Sequence, residues 1–306
     1  MIALSAGSLT HRYGERLALD AFSFEVRQRE IYGLLGPNGG GKTTLFRILS
    51  TLIPPGSGTA QLFGTDLVGD PDAVRRSLGV VFQSPSLDKK LTVAENLRHQ
   101  GHLYGLRGAD LSERIARALT RLRVSDRSGD LVETLSGGLQ RRVEVAKALL
   151  HDPRFLLLDE PSAGLDPGAR IDLWAALERL RAEQGTTVLL TTHLMEEADR
   201  CDRIGILDRG RLVAEGVPAA LRAELGAEIL TVRAADAPAA AGDLKARFGI
   251  DPVVLDGSVR IEHAQPQQLL GQILDAFPGR FDSVSIARPT IEDVFIRKTG
   301  HGLHDA

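Results

Sequence analysis

The sequence predicts an α/β chain: a parallel-sheet domain with antiparallel β material and a helical insert, followed by a small α+β domain. Three observations predict it. A glycine-rich turn, Gly36-Pro37-Asn38-Gly39-Gly40-Gly41-Lys42-Thr43-Thr44, joins an apolar strand at 30–35 to a helix over 43–49. Two further apolar strands, at 155–160 and 186–193, end in Asp159-Glu160 and His193. Beyond about residue 228 the pattern runs strand, helix, strand, strand, helix, strand, which is the ferredoxin-like order.

Residues 2–24 read as antiparallel strands turning at Gly14-Glu15. Tyr13 precedes that turn and either fills a strand face or offers a ring on which a planar base stacks. The glycine-rich turn fits G-x-x-x-x-G-K-[ST] in the strand-to-helix setting that the pattern requires. Its glycines let successive N–H groups point inward, and the helix N-terminus adds partial positive charge, so the turn is suited to phosphate. Lys42 is placed to reach terminal phosphates as a point charge, and the Thr43 hydroxyl to complete a Mg²⁺ shell.

Pro54-Pro55-Gly56-Ser57-Gly58 is a sharp loop before a short strand at 59–63, and a buried strand at 79–83 ends in the amide of Gln83. From 84 to 132 the pattern turns helical. Thr92-Val93-Ala94-Glu95 is a capping box, and Leu111, Ile115, Ala118, Leu119 and Leu122 repeat at helical spacing. With the helix that follows, about 84–150 reads as a helical subdomain. Leu135-Ser136-Gly137-Gly138-Leu139-Gln140 opens that next helix, over 141–151. Ser136, Gly137 and Gly138 offer an anion a hydroxyl, free N–H groups and a dipole; they serve equally as an ordinary N-cap.

The run Phe155-Leu156-Leu157-Leu158 marks a central parallel strand buried on both faces. Asp159 and Glu160 stand at its C-terminal end, where open α/β sheets place ligands. Asp159 suits the Mg²⁺ of a nucleotide, and Glu160 suits acceptance of a proton from an attacking water. His193 ends a second such strand, facing the same crevice. Around Glu215-Gly216-Val217-Pro218 the nucleotide-binding domain closes, giving a first domain of 1–225 and an accessory domain of 226–306. In the latter, strands at 229–232, 253–255, 259–261 and 284–286 alternate with two helices, with a hairpin turn at Asp256-Gly257. Thr290-Ile291-Glu292-Asp293 starts a last capped helix, on which Phe295 and Ile296 are candidates for an apolar anchor onto a second copy or the first domain. This half carries no catalytic constellation.

Of the 306 residues, 43% are hydrophobic and 25% charged, the balance of an ordinary globular protein. A formal net charge of -3 gives no drive toward nucleic acid or anionic lipid. The one cysteine, Cys201, cannot form an internal disulfide, which suits a reducing compartment. Met1-Ile2-Ala3-Leu4-Ser5 lacks the basic and apolar regions of a signal peptide, and no apolar run approaches the ~20 residues that span a bilayer. Work at a membrane therefore requires spans on a partner.

Taken in order, the loop 36–43, Gln83, Leu135-Ser136-Gly137-Gly138, Asp159-Glu160, Ser162-Ala163-Gly164-Leu165-Asp166 and His193 resemble the ATP-binding subunit of an ABC transporter. The stretch from Leu87-Asp88 to Leu106, the tail Arg288-Pro289-Thr290-Ile291-Glu292-Asp293-Val294-Phe295 and the small C-terminal domain are similar to the separate ATPase subunits of ABC-2-type exporters, daunorubicin-resistance kind. The resemblance implies a P-loop, ABC-type nucleotide-binding domain that hydrolyses ATP with Mg²⁺ and powers a separately encoded integral-membrane permease. It implies a head-to-tail homodimer, peripheral on the cytoplasmic face of the membrane, with each ATP between one phosphate loop and the opposite copy's signature. On that scheme Tyr13 stacks on adenine, Gln83 senses Mg²⁺ and the permease, and Asp166 communicates across the interface. Ser136, Gly137 and Gly138 contact the opposite γ-phosphate, and His193 holds the γ-phosphate and attacking water. Two positions depart from the family. Gly40 replaces the usual Ala or Ser, at a loop-entropy cost of ~0.5–1 kcal/mol, and Leu139 replaces a common Gln.

The competing reading is a soluble ABC-type ATPase with a non-transport role. A DNA-repair type needs a long heptad insert before the signature, for which 84–135 is too short. A ribosome-associated type carries two nucleotide domains, and this chain has one phosphate loop. A GTPase switch requires Asn-Lys-x-Asp, which is absent. The cargo is not legible, because the substrate path belongs to the permease.

Overall fold

The hydrophobic pattern sorts the chain into three sheets. The computed structural model describes residues 1–225, 228–255 and 257–302, so Asp256 of the expected hairpin turn lies outside the described residues. Strands β1 (Ile2–Tyr13) and β2 (Arg16–Arg27) pair antiparallel across the Gly14-Glu15 turn, where Gly14 takes φ 58°. The phosphate-loop strand β3 (Ile31–Leu35) and helix α1 (Lys42–Leu49) follow, then β4 (Ser57–Leu62) and β5 (Thr65–Asp66). The first sheet has the order β2-β1-β4-β5. Its inward residues, among them Leu4, Leu9, Phe22, Phe24 and Leu62, share one core with Phe46 and Leu49 of α1 and with Leu34 and Leu157.

After α2 (Pro71–Ser77) and β6 (Leu78–Val81), three helices form the insert: α3 (Val93–Leu103), α4 (Gly108–Arg121) and α5 (Gly137–Ala148). The Thr92–Glu95 capping box starts α3 as expected, and Leu111, Ile115, Ala118 and Leu119 form the buried stripe of α4. At Gly101 a Cβ would sit 2.2 Å from Leu111 Cδ1, so any side chain there would have to push the buried Leu111 aside. The strand expected at 79–83 ends at Val81, leaving Phe82 and Gln83 beyond it. The helix expected from 141 begins at Gly137, because Ser136 caps it.

Strands β7 (Phe155–Asp159) and β8 (Thr187–Thr192) flank helix α6 (Pro167–Gln184). The short helix α7 (Met195–Ala198), then β9 (Arg203–Asp208) and β10 (Arg211–Gly216), complete the central sheet, in the order β10-β9-β3-β8-β7-β6. β3, β7 and β8 run parallel and are buried along their whole length, as continuous apolar runs require. The register pairs Leu35 with Thr192 and Asp159 with Thr191, so three strands end side by side.

The chain divides into compact units Met1–Glu215 and Gly216–Ala306, earlier than the boundary expected near residue 225. The reason is helix α8 (Pro218–Ala223), whose tertiary neighbour is the last helix of the second unit. That unit contains β11 (Glu228–Arg233), α9 (Ala237–Phe248), β12 (Val253–Leu255), β13 (Ser258–His263), α10 (Pro266–Ala276), β14 (Ser283–Ala287) and α11 (Ile291–Thr299). Its sheet has the order β12-β13-β11-β14 with every pair antiparallel, and Leu230, Val232, Leu244, Val259 and Ile273 fill its core.

Phe295 and Ile296, expected as an anchor onto a second copy or the first domain, are buried on a helix that packs on α8, a segment that the 1–225 boundary counts with the first domain and the compact units count with the second. α11 packs on α8, Lys298 reaches Glu224 at 3.1 Å, and Arg260 of β13 binds both Glu292 and Asp293. Truncating a fully buried phenylalanine removes about 3–5 kcal/mol. Phe295→Ala should therefore speed amide exchange throughout α8 and α11, measured by hydrogen-exchange mass spectrometry. Unchanged protection there would show that the ring does not hold these helices together.

Candidate functional site

The turn between β3 and α1 is held open by its neighbours. Gly39 and Gly41 take φ 79° and 115°, and a Cβ on Gly41 would meet Ala18 O at 2.6 Å. Gly36 has no such φ but lies so close to Leu207 O, 2.4 Å from an added Cβ, that the backbones touch. At Gly40 a Cβ would sit 3.1–3.3 Å from Pro37, tight but without backbone strain. Arg16 donates to Gly39 O at 3.2 Å, and Gly210 N to Gly40 O at 2.8 Å. The turn lines a cleft of about 280 Å³ with Tyr13, Arg16, Asn38, Lys42, Thr43, Thr44, Gln83 and Glu160. Tyr13 is half exposed at its rim. A larger cavity, about 470 Å³, lies beside Arg29, Asp152 and Thr187 and contains none of the expected residues.

Four polar side chains converge on one point. Lys42 Nζ donates to Gly36 O at 2.7 Å and lies 3.4 Å from Glu160 Oε1. Gln83 Nε2 donates to Glu160 Oε2 at 3.1 Å. His193 Nδ1 lies 3.2 Å from the same oxygen, outside hydrogen-bond alignment. Burial pushes the Lys42 ammonium below its ordinary pKa, opposed by the Glu160 and Asp159 carboxylates. Asp159 sits behind, 6% exposed, its carboxyl pushed up by burial while the Thr191 hydroxyl, 2.6 Å away, opposes the rise. Glu160 takes φ 41°, a left-handed conformation that costs a non-glycine residue roughly 1–3 kcal/mol. Its N–H is held by Thr191 Oγ1 at 2.9 Å.

The sequence reading missed the groups that hold this arrangement. Arg141, 8% exposed, donates to Phe82 O, Pro161 O and Asp159 O at 2.6, 2.8 and 2.9 Å and pairs with buried Glu144 at 2.7 Å. Glu144 in turn accepts from Ser86 N at 2.6 Å. The signal available was Glu144 set between Val143 and Val145, three residues after Arg141 and so on the same helix face.

Ser136, Gly138, Asp166 and His193 do not line the phosphate-loop cleft. Ser136 and Asp166 are exposed, each accepting from its own helix, at Leu139 N and Ala169 N. Gly137 lines a separate cleft of about 170 Å³ with Gln83, Glu160 and Gly164. Gly138 is fixed by packing, since its Cβ would lie 2.4 Å from that of Ala169.

The sequence pattern of the family described as "ABC transporter" matches residues 19–163. The chain is 37% identical to the "Daunorubicin/doxorubicin resistance ATP-binding protein DrrA" of Streptomyces peucetius, covering 99% of this chain and 94% of that protein. It is 40% identical to a "Nod factor export ATP-binding protein I" of Ralstonia nicotianae, covering 99% of this chain and 95% of that one. Among solved structures, an "ATP binding subunit of ABC transporter" superposes with TM-score 0.65 at 31% identity, over 73% of this chain and 93% of that chain. A dimeric ATP-binding cassette bound to ADP and Pi superposes with TM-score 0.63 at 27% identity, over 70% of this chain and 98% of that chain. The cleft and this likeness along nearly the whole chain agree: the chain belongs to the ABC transporter family, among its ATP-binding and ATP-hydrolysing proteins.

Proposed function

We propose that this chain is the ATPase subunit of an ABC-2-type exporter, acting as a head-to-tail homodimer beneath a separately encoded permease. The convergence of Lys42, Gln83 and His193 on Glu160 carries the reading, because it brings a phosphate-binding cation beside a candidate base. In it, the backbone from Gly36 through Gly41 and the side chains of Lys42, Thr43 and Thr44 hold the ATP phosphates, with Asn38 at the cleft edge and Tyr13 against the base. Glu160 takes the proton of the attacking water, and His193 orients the γ-phosphate. Ser136, Gly137 and Gly138 serve the ATP of the opposite copy, and Asp166 lies near that interface. Their position outside the phosphate-loop cleft of their own chain supports a role in trans. A dimeric relative's structure points the same way.

Thr43, Gln83 and Asp159 offer hydroxyl, amide and carboxylate oxygens, a donor set suited to Mg²⁺, which keeps waters and substrate phosphates among its ligands. Among the described residues no three His, Cys, Asp or Glu side chains cluster as a protein-only cage, so the ion would be held jointly with the nucleotide. When bound, it neutralises charge on the β- and γ-phosphates.

The βαββαβ succession with sheet order β14-β11-β13-β12 supports reading the second unit as ferredoxin-like, with an accessory role. The functional boundary then belongs at Glu215/Gly216. Among the described residues no helix is long and apolar enough to cross a membrane. The reading therefore assigns the spans to the permease and places this chain on its cytoplasmic side. Relatives named for daunorubicin resistance and for Nod factor export support export over import. Affinity purification from native membranes tests it: a multispan protein should co-purify in stoichiometric amount. Recovery with ribosomes or DNA-repair proteins instead would overturn the transport reading.

Glu160→Gln should leave ATP affinity intact while slowing hydrolysis about 10²–10⁴-fold, and should accumulate an ATP-bound dimer on a sizing column. Near-normal turnover would remove Glu160 from the role of base. Ser136→Arg should abolish hydrolysis with monomer ATP affinity unchanged, and mixing it with Lys42→Ala chains should restore one working site per dimer. Weakened ATP binding by the Ser136→Arg monomer would argue against a signature acting in trans.

A further inference from the structure

Among the described residues Glu197 is the least exposed carboxylate, at 1%, and no lysine or arginine pairs with it. Burying a carboxylate without a cation is costly unless hydrogen bonds replace its water. Three do, from three separate elements. Ser162 Oγ and Trp174 Nε1 donate to Oε1, the latter at 3.3 Å, and Thr192 Oγ1 donates to Oε2 at 2.6 Å. Ser162, Trp174 and Thr192 are each 1% exposed.

The donors are not arbitrary. Ser162 lies two residues after Glu160, and Thr192 directly precedes His193. Thr192 Oγ1 also accepts from Leu194 N at 2.9 Å, so its proton is committed to Glu197 and the backbone on both sides of His193 is held. The contacts close a ring: Glu160 through Pro161 to Ser162, across Glu197 to Thr192, on to His193, and back to Glu160 at 3.2 Å. A residue needed only to fill this space would be apolar, with no desolvation to offset.

We infer that Glu197 is a positioning residue for ATP hydrolysis, stapling the turn after Glu160 to the strand end that carries His193. The inference rests on the assignment of Glu160 and His193 to the reaction. Glu197 is 1% exposed and acts through other residues: it fixes how far apart the two groups stand and how each is aimed. Misplacement of a reacting group by about 1 Å costs up to ~10²-fold in rate, so the staple matters to turnover far more than to binding.

Glu197→Gln keeps the shape and replaces one acceptor with a donor. In the full chain it should lower kcat for Mg²⁺-ATP about 10–100-fold, with KM and the unfolding temperature nearly unchanged. In a His193→Ala background the same change should reduce the residual single-turnover rate little further, because both act through one arrangement. A wild-type kcat, a fall that tracks lowered stability, or full multiplication with His193→Ala would each overturn the inference. If Glu197→Gln does not fold, Thr192 decides. Thr192→Val should reproduce the loss and Thr192→Ser should restore the rate, whereas equal rates in the two would overturn it. Glu160→Gln and His193→Ala measured alongside separate the failures. If neither slows hydrolysis, the site assignment itself falls; if both do while Glu197 and Thr192 variants do not, only the positioning role falls.

Discussion

The site depends on the register of three parallel strands. Because Leu35 pairs with Thr192 and Asp159 with Thr191, the chain leaves β3, β7 and β8 at one level. The residues that follow, Gly36, Glu160 and His193, are therefore neighbours without any loop having to reach across the sheet. A one-residue slip of β7 would also flip its side chains to the opposite face, and burial on both faces does not by itself forbid that. Thr191 does. Its hydroxyl binds the Asp159 carboxylate and its oxygen accepts the Glu160 N–H, so the last pair of the β7–β8 ladder is pinned by side chain as well as backbone. Glu160 can then sit at positive φ, turning its carboxylate away from the strand and toward Lys42.

Charge is held in this corner against the cost of burial. Lys42 and Asp159 are both shifted toward their neutral forms by loss of water, and each is pulled back by a neighbour of the appropriate kind. The Arg141–Glu144 pair shows how such a cost is met. The guanidinium donates to four oxygens, three of them backbone carbonyls: Phe82 O beyond β6, and Asp159 O and Pro161 O at the end of β7. An apolar pair of equal volume would avoid the desolvation cost but would leave those carbonyls without donors.

Much of the site was legible in the sequence because its signals are local. The phosphate loop, the acids at the end of the strand at 155–160 and the Thr92 and Thr290 capping boxes each lie within a dozen residues, and the alternation of strands and helices after residue 228 is a succession of such short patterns. What escaped depends on partners far away in sequence. Arg141 looked like one more solvated arginine until Asp159 and Pro161 were placed beside it. Phe295 looked like a sticky side chain at a terminus, and it is core because α8 lies some seventy residues earlier yet packs against α11. Element ends moved for a related reason. Phe82 continues the apolar run, but the pairing of β6 with β7 stops at Val81 and Leu158.

Helix α5 shows how one regular element can serve two places. Its N-terminus begins at exposed Ser136 and Gly137, whose cap and free N–H groups face outward. Five residues along, the spacing Arg141, Glu144, Lys147 puts three polar side chains on one face at successive turns. These hold Phe82 O, Ser86 N and Ser86 O respectively, so they grip the segment on both sides of Gln83. Gln83 itself is left to reach Glu160. Side-chain freedom on an exposed loop would ordinarily blur that reach, since an ungripped segment samples many backbone conformations. Here the loop takes its position from the same helix that presents Ser136, and α5 takes its own position from Gly138 against Ala169. The exposed cap and the amide beside the candidate base are thus referred to one rigid body, which is a stronger constraint than either motif implies when read alone.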